Sequence, residues 1–339
     1  MRKALLQLNR IGYCISMKQK ALIIRFSSFG DIIQSLACVP DLAQDYDIHF
    51  LTKSQFAALP SLHPDITKVI PFDKSLGLLG LVKLALQLRK NNYHFIYDAH
   101  ENPRSKIVRM VVSFFTSTKV HVRNKERFKR FLFFKLKRRS ILPTPYKGMF
   151  SYCEPVNVKP RSQRFKFEHQ ISEDRRQFLD QFKNRICLVP SAAWEMKRWP
   201  LEHWKSLIKS LNGPMMILGG PEDTFCRELA AVSDHCENLA GSLSLVESCY
   251  IISISKVIVS ADTGLLHVAD IQEIPAIALI GPTAFGYPSF ESSVVMEIAI
   301  DCKPCSKDGR GKCVQSTWQK CMVDISPSQV KQKIIQLID

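Results

Sequence analysis

The chain reads as an α/β protein made of two facing Rossmann-like domains, each with a parallel sheet, and a ligand cleft between them. Three observations carry this expectation. At 339 residues the chain is long for one core and ordinary for two. Short apolar runs of β type alternate with helical patterns in two separate series. Two segments, one per half, also share a design: Lys20–Asp31 (KALIIRFSSFGD) and Val257–His267 (VIVSADTGLLH). Each is an apolar run that breaks at Ser, Gly and Asp before an apolar helical pattern starts. Such a turn delivers backbone N–H groups and one acidic side chain to the carboxyl end of a parallel strand, where ligands bind.

Along the chain, residues 1–16 are basic, but Gln7, Asn9 and Arg10 interrupt Ala4-Leu5-Leu6 before a signal-peptide core forms. Met17 stands directly ahead of the first strand pattern, so 1–16 is expected to be a loose extension or a mis-assigned start. Strands are expected at 21–26, 48–51, 67–72, 94–98 and 119–122. Turn formers from Pro143 and Pro145 to Pro155 and Pro160, then the polar run Arg161–Arg164, break the series, so the first domain is placed at 17–160. A second series, 186–190, 214–218, 257–260, 276–280 and 294–299, forms the domain at 161–325. Trp204, Leu207, Ile208 and Leu211 mark one face of a helix after its first strand. The last segment, 326–339, reads as a terminal helix capped at Ser326-Pro327-Ser328, with Val330, Ile334, Ile335 and Ile338 as its apolar stripe. No apolar run approaches the roughly 20 residues of a membrane span, and a cytoplasmic location is expected.

Lys and Arg outnumber Asp and Glu by 47 to 31, a net charge of +16, which favours phosphate-rich or anionic partners. The stretch 123–139 concentrates that charge. Lys129, Arg130, Arg138 and Arg139 are interleaved there with Phe128, Phe131, Leu132 and Leu136 at helical spacing. Three readings stand: a surface helix packed on the core, a surface for membrane or an anionic acceptor, and nucleic-acid binding. A non-catalytic basic module binding RNA or lipid is the rival function class. Of 11 cysteines, Cys38, Cys187 and Cys249 sit in apolar runs as small buried hydrophobes. Cys302, Cys305, Cys313 and Cys321 cluster near the end, as a structural thiol-rich loop or a tetrahedral metal site.

The turns supply the candidate chemistry. Gly30 lets the backbone approach a ligand, and Asp31 behind it is either a helix cap or a general base. Lys197 and Arg198 lie in a loop flanked by Trp194, Trp199 and Pro200 after the 186–190 strand. They are a solvated pair or cations for a diphosphate. Glu222 and Asp223 follow the Gly219-Gly220 turn, as solvated carboxylates or as acceptors for ribose hydroxyls. Asp262-Thr263-Gly264-Leu265 opens a helix whose first N–H groups suit phosphate. His267 is a ligand contact or a satisfied core histidine.

Taken together, Arg25–Asp31, Pro190–Pro200, Leu218–Asp223, Asp262–His267 and Ala278–Thr283 resemble glycosyltransferase family 9, whose best-known members are the ADP-heptose:lipopolysaccharide heptosyltransferases. The matches run in family order from residue 20. The tail, Cys302-Lys303-Pro304-Cys305 through Cys321-Met322 and Ser326-Pro327, is similar to the family's Cys-rich end, which is not known for a metal. The resemblance implies a GT-B architecture with an acceptor domain first and a donor domain second. It also implies inverting transfer of heptose from ADP-heptose to Kdo or heptose of the lipopolysaccharide inner core, without a metal or other cofactor. Asp31 then matches the base, and Lys197 the lysine at the donor phosphates. Asp223, or Glu222 beside it, matches the ribose contact. Ser191 lies in the phosphate-side turn, Asp262, Thr263, Gly264 and Leu265 around the sugar and diphosphate, and His267 after them. Ser28, Gly30, Arg104, Lys129, Arg130, Arg138 and Arg139 fall to the acceptor or membrane side. The partners implied are an ADP-heptose-like donor, a lipid A- and Kdo-bearing acceptor and the anionic inner face of the inner membrane, with no nucleic acid. Three positions depart from the pattern: Ser191 replaces a Gly, Asp270 an Ala, and Ala284-Phe285 an Asp-Pro. They leave another nucleotide sugar as the alternative donor.

Overall fold

The computed structural model describes residues 18–338; the expected extension at 1–16 lies outside them. The first sheet comprises β1 (Gln19–Ile24), β2 (Tyr46–Lys53), β3 (Ile66–Phe72), β4 (Phe95–Asp98) and β5 (Lys119–Val122), in the order β3-β2-β1-β4-β5. The second comprises β6 (Ile186–Val189), β7 (Met215–Ile217), β8 (Cys236–Asn238), β9 (Val257–Ala261), β10 (Ala276–Leu279) and β11 (Ser293–Met296), in the order β11-β10-β9-β6-β7-β8. Every pairing is parallel. Ten of these strands fall on the expected runs. The eleventh, β8, is three residues long at a sheet edge and carries Glu237 and Asn238, so no apolar run announces it. The segment between Asn157 and Ile171, around the expected boundary, contains no helix or strand.

The central strands β1, β4, β6, β9 and β10 are apolar and buried along nearly their whole length because both faces of each sheet are covered there, whereas the edge strands β3, β5, β8 and β11 are partly exposed. Leu22 and Ile24 of β1 point outward to Leu81, Leu88, Val108 and Val112 of two covering helices, Gly77–Arg89 and Pro103–Ser113. Ala21 and Ile23 point inward. On the second sheet Ile186 and Leu188 face outward to Trp199, Trp204 and Leu207, together with Val330 and Ile334 of the terminal helix Pro327–Ile338. Ser326 caps that helix as expected: the Gln329 N–H donates to its Oγ (3.3 Å), and its own N–H donates to Gln329 Oε1 (3.0 Å). The inward residues of both sheets belong to one continuous cluster, from Ile23 and Ile33 through Phe165 and Phe167 to Val189 and Leu266. The two domains therefore share a core and are not merely tethered.

Asp270 strengthens this junction. Its buried carboxylate accepts from the Ser289 N–H (2.7 Å) and the Phe290 N–H (2.9 Å), and the same loop holds Lys147 and Met149 of the linking segment. Burial pushes its pKa up from 3.8 to about 6, against the pull of the two N–H groups. The folded protein thus holds this proton more tightly than the unfolded chain. The associated stability is complete below about pH 4 and is lost as pH rises through 6. Asp270→Ala should therefore cost about 2 kcal/mol more at pH 4.5 than at pH 7.5 in urea denaturation. An equal penalty at both pH values would show that Asp270 titrates as an ordinary carboxylate.

Candidate active site

Both glycine-centred turns come to the same place. Helix Phe29–Ser35 follows β1 and helix Gly264–Ile271 follows β9, and their first turns touch across the cleft. A Cβ on Gly264 would lie 2.1 Å from Phe29 Cδ1, and one on Gly30 would lie 2.8 Å from His267 Cδ2. Only glycine allows this approach. Beside the contact is a cavity of about 580 Å3, walled by Ser28–Asp31 on one side and by Ser191, Lys197 and Asp262–Leu265 on the other. That volume suits a small-molecule ligand.

Asp31 is at once a helix cap and a wall of the cavity. The Ser28 N–H (3.2 Å) and hydroxyl (2.7 Å) both donate to Oδ2, completing a capping box. Arg25, itself buried, reaches the same oxygen at 2.6 Å, and the Tyr152 hydroxyl donates to Oδ1 at 2.8 Å. Arg123 lies 3.9 Å over the Tyr152 ring and Arg25 5.4 Å from it. Burial opposes ionisation of Asp31, but Arg25, Ser28, Tyr152 and Arg123 together hold its carboxyl well below the usual range. The side chain remains about one-third open, 36%. Three donors crowd Oδ2 and one occupies Oδ1, so Oδ1 has the lone pair left for a ligand hydroxyl.

Across the cleft, Asp262 pairs with Lys197 (3.0 Å), accepts from the Thr283 hydroxyl (2.9 Å) and stands 4.0 Å from His267 Nε2. Burial works against its charge, yet Lys197 and His267 keep its carboxyl below the ordinary value. Burial also lowers the His267 pKa, against Asp262 and with Lys197. Its Nδ1 is buried without a hydrogen-bond partner. Thr263 caps the helix by accepting from the Leu266 N–H at 3.4 Å, leaving the earlier N–H groups at Gly264 and Leu265 toward the cavity. Gly309 is packed so closely on the Lys197 stem that a Cβ there would meet Lys197 Cγ at 2.6 Å. The Cys-rich tail thereby fixes the lysine and brings Lys307 and Asp308 to the rim.

Other expected residues go elsewhere. Asp223 is a brace: it accepts from the Ser191 hydroxyl and the Gly220 N–H (2.8 Å) and pairs with Arg198 at 3.6 Å. Neither Asp223 nor the exposed Glu222 lines the cavity, because the Gly219–Pro221 turn stands in front of them. Arg104 is exposed at the start of helix Pro103–Ser113. The basic stretch forms helix Arg127–Lys135, but its buried face is Phe133, not Phe128 and Phe131, which stay exposed. The cause is packing against Leu142 and Ala284, next to Phe285. Arg130 stacks 4.3 Å over Phe285, and Arg139 donates to the Pro304 (2.6 Å) and Cys302 (3.3 Å) carbonyls. These two arginines join the domains, leaving Lys129 and Arg138 as the exposed cations of the four. Among the described residues no group of three or more His, Cys, Asp or Glu is arranged to hold a metal ion. Sequence reasoning missed Arg123 and Tyr152, about 90 to 120 positions beyond Asp31. It also missed the contact role of Arg25, which was visible only as part of the first turn.

Gly264→Ala should displace the Phe29 ring and cost about 1–3 kcal/mol by overpacking. Combining it with Phe29→Ala should cost much less than the two single penalties together. Strictly additive penalties in thermal or urea unfolding would show that the two turns do not touch.

A sequence profile of glycosyltransferase family 9 (heptosyltransferase) matches residues 81–313. The chain is 25% identical over 276 residues to the lipopolysaccharide core heptosyltransferase OpsX of Haemophilus influenzae, covering 76% of this chain and 77% of that protein. It is 25% identical over 299 residues to lipopolysaccharide heptosyltransferase 1 of Campylobacter coli, covering 81% and 87%. Among solved structures, the family 9 glycosyl transferase of Veillonella parvula superposes with a TM-score of 0.72 at 19% identity, covering 94% of this chain and 97% of that one. The E. coli heptosyltransferase WaaC with ADP gives 0.67 at 19%, covering 94% and 100%. These structures share the GT-B arrangement of two parallel-sheet domains seen here. Fold, profile and relatives agree, and the chain belongs to glycosyltransferase family 9, the heptosyltransferases.

Proposed function

We propose that the protein transfers heptose from ADP-heptose to Kdo or heptose of the lipopolysaccharide inner core, with inversion at the anomeric carbon. The observation that carries this reading is that Asp31 from one domain and the Lys197–Asp262 pair from the other line one cavity. The acceptor sits on the first domain (17–160) and the donor on the second (161–325). The acceptor hydroxyl lies against Asp31 Oδ1. Its oxygen bonds to C1 of the sugar as the bond from C1 to the β-phosphate oxygen breaks, and its proton passes to Asp31. ADP leaves on the opposite face, its charge met by Lys197 and by the N–H groups at Gly264 and Leu265. No metal is required by this scheme.

Asp31 is a weak base in this setting, since Arg25 and its hydroxyl partners hold it ionised. Proton transfer must then come late, once bond formation to C1 has acidified the acceptor hydroxyl. Lys197 is neutralised by Asp262 until a diphosphate competes for it. The nucleoside side falls to the turns at Ser191–Ala193 and Gly219–Pro221, and ribose contact is assigned to those turns in place of Glu222 and Asp223. One feature favours a second reading with another nucleotide sugar: Phe285 lines the cavity where the family pattern has Asp-Pro. A non-catalytic basic module, by contrast, leaves the cavity and its buried charge pairs without use.

Three measurements test the reading. Asp31→Asn should lower transfer about 10²–10⁴-fold while ADP binding persists; transfer near the wild-type rate would leave Asp31 as a cap only. Lys197→Ala should weaken ADP binding by roughly 1.5–3 kcal/mol in calorimetry, and unchanged affinity would remove the lysine from the donor site. Parallel titrations with ADP, UDP and GDP should favour ADP, and a preference for UDP or GDP would support the second reading.

A further inference from the structure

The outer face of the first domain is built from helices Gly77–Arg89 and Pro103–Ser113, and its composition is unusual for a solvent-facing surface. On the first helix, Leu81, Ala85 and Leu88 face the sheet. The opposite stripe carries Leu76 and Leu79, then Lys83, Leu86 and Lys90, all exposed. On the second helix, Ser105, Val108 and Val112 are buried, and Lys106, Met110 and Phe114 face out. The two stripes join where the Arg89 guanidinium lies 5.8 Å from the Phe114 ring. Exposure is extreme at the ends, with Leu79 at 86% and Phe115 at 89%, and Leu78 beside Leu79 is exposed as well.

The charge on this face is mostly positive, with Asp73 at its edge. Residues 74–97 and 102–125 contain no Asp or Glu. Lys74, Lys83, Lys90, Arg104 and Lys106 are exposed, and among the described residues none of them forms an ion pair. Elsewhere Lys205, Lys320 and Arg310 each meet a carboxylate, whereas exposed Lys183, Lys209 and Lys256 do not; this face combines its unpaired cations with the exposed Leu76, Leu79, Leu86 and Phe115. At the cleft end Lys53 joins Lys74 and Arg104, and its pKa is lowered by burial and then by these two cations. Aliphatic and aromatic side chains standing out among unpaired cations match the boundary of an anionic bilayer. Nucleic acid offers leucine nothing apolar to bury, and contiguous exposed apolar surface marks an interaction site.

We propose that this two-helix face is the surface by which the protein lies on an anionic lipid bilayer, with Leu78, Leu79 and Phe115 entering the acyl boundary and Lys83, Lys90 and Lys106 meeting lipid phosphates. The N-terminal ends of both helices lie at the carboxyl edge of the first sheet, so docking sets the cleft mouth beside the membrane. The proposal rests on the reading of the cleft only in that a lipid-borne acceptor gives the docking a purpose.

The test is co-sedimentation of the full chain with vesicles of phosphatidylglycerol and phosphatidylcholine, and with phosphatidylcholine alone. Two triple variants are compared, Leu78→Ser/Leu79→Ser/Phe115→Ser and Lys83→Gln/Lys90→Gln/Lys106→Gln, with Phe128→Ser/Lys129→Gln/Phe131→Ser as the control on the other basic helix. Wild type should bind the anionic vesicles at low salt and release them as salt rises. Each cation removed should weaken binding roughly fivefold, and the apolar variant should lose at least tenfold. Unfolding midpoints, ADP binding and transfer to a delipidated, soluble acceptor should stay at wild-type values, so a failed cleft reading is recognised separately. Wild-type binding by both outer-face variants overturns the proposal, as does loss confined to the control variant. A wild-type dimer that dissociates in the apolar variant without any vesicle binding would assign the face to self-association and overturn it equally.

Discussion

Everything in this protein depends on how closely two helix starts approach. Helices Phe29–Ser35 and Gly264–Ile271 touch through glycines that have no room for a Cβ: Gly264 against the Phe29 ring and Gly30 against His267. A side chain at either position would hold the sheets apart by the thickness of at least a methyl group. The carboxyl ends of β1 and β9 would then no longer bound one cavity. The shared core behind the contact fixes the same geometry from the other side, since Ile33 and Leu266 belong to one buried cluster. Because packed interiors deform little, the position of Asp31 relative to Lys197 is set by this packing rather than by the loops that carry them.

Within the cleft, charges are matched almost one for one. Arg25 meets Asp31 and Lys197 meets Asp262, and outside the cavity lining Arg198 meets Asp223. Matching has a purpose at each position. A carboxylate enclosed by cleft walls would otherwise gain a proton through desolvation, and a base that is already protonated does nothing. At Asp262 the same balance keeps Lys197 in place, and in the proposed reaction an incoming diphosphate competes against one carboxylate and not against bulk water. The Cys-rich tail contributes to this through Gly309, pressed against the lysine stem.

The fold was legible in the sequence because parallel strands buried on both faces are continuous apolar runs. The central strands were visible for that reason, and β8 was not because an edge strand of three residues needs no such run. Asp31, Lys197, Asp262 and His267 were legible as turn residues at strand ends. Their partners were not. Tyr152 reaches Asp31 from 121 positions away, and no local pattern records that contact. Asp223 had the right residue type at the right strand end, but its oxygens are taken by Ser191, Gly220 and Arg198. The basic helix misled for a related reason. Its apolar spacing suggested Phe128 and Phe131 as the inner face, while Arg130 and Arg139 turned inward to Phe285 and the Cys302–Pro304 carbonyls. The outer helices escaped notice because their leucines look like core residues until burial is known.

The net charge of +16 is therefore not explained by the cleft. The cations of the cleft come with carboxylates and contribute almost nothing to the total. The excess lies where cations stand alone, and Lys74, Lys83, Lys90, Arg104 and Lys106 gather five of them on one face. Like charges gathered on one surface repel one another and weaken the fold slightly. In the proposed docking an opposing layer of anionic groups relieves this repulsion, and the apolar interior of that layer takes up the exposed Leu79 and Phe115. Helix Arg127–Lys135 meets only half of this description, because Arg130 is already spent on Phe285 of the other domain and Lys129 is paired with Glu126.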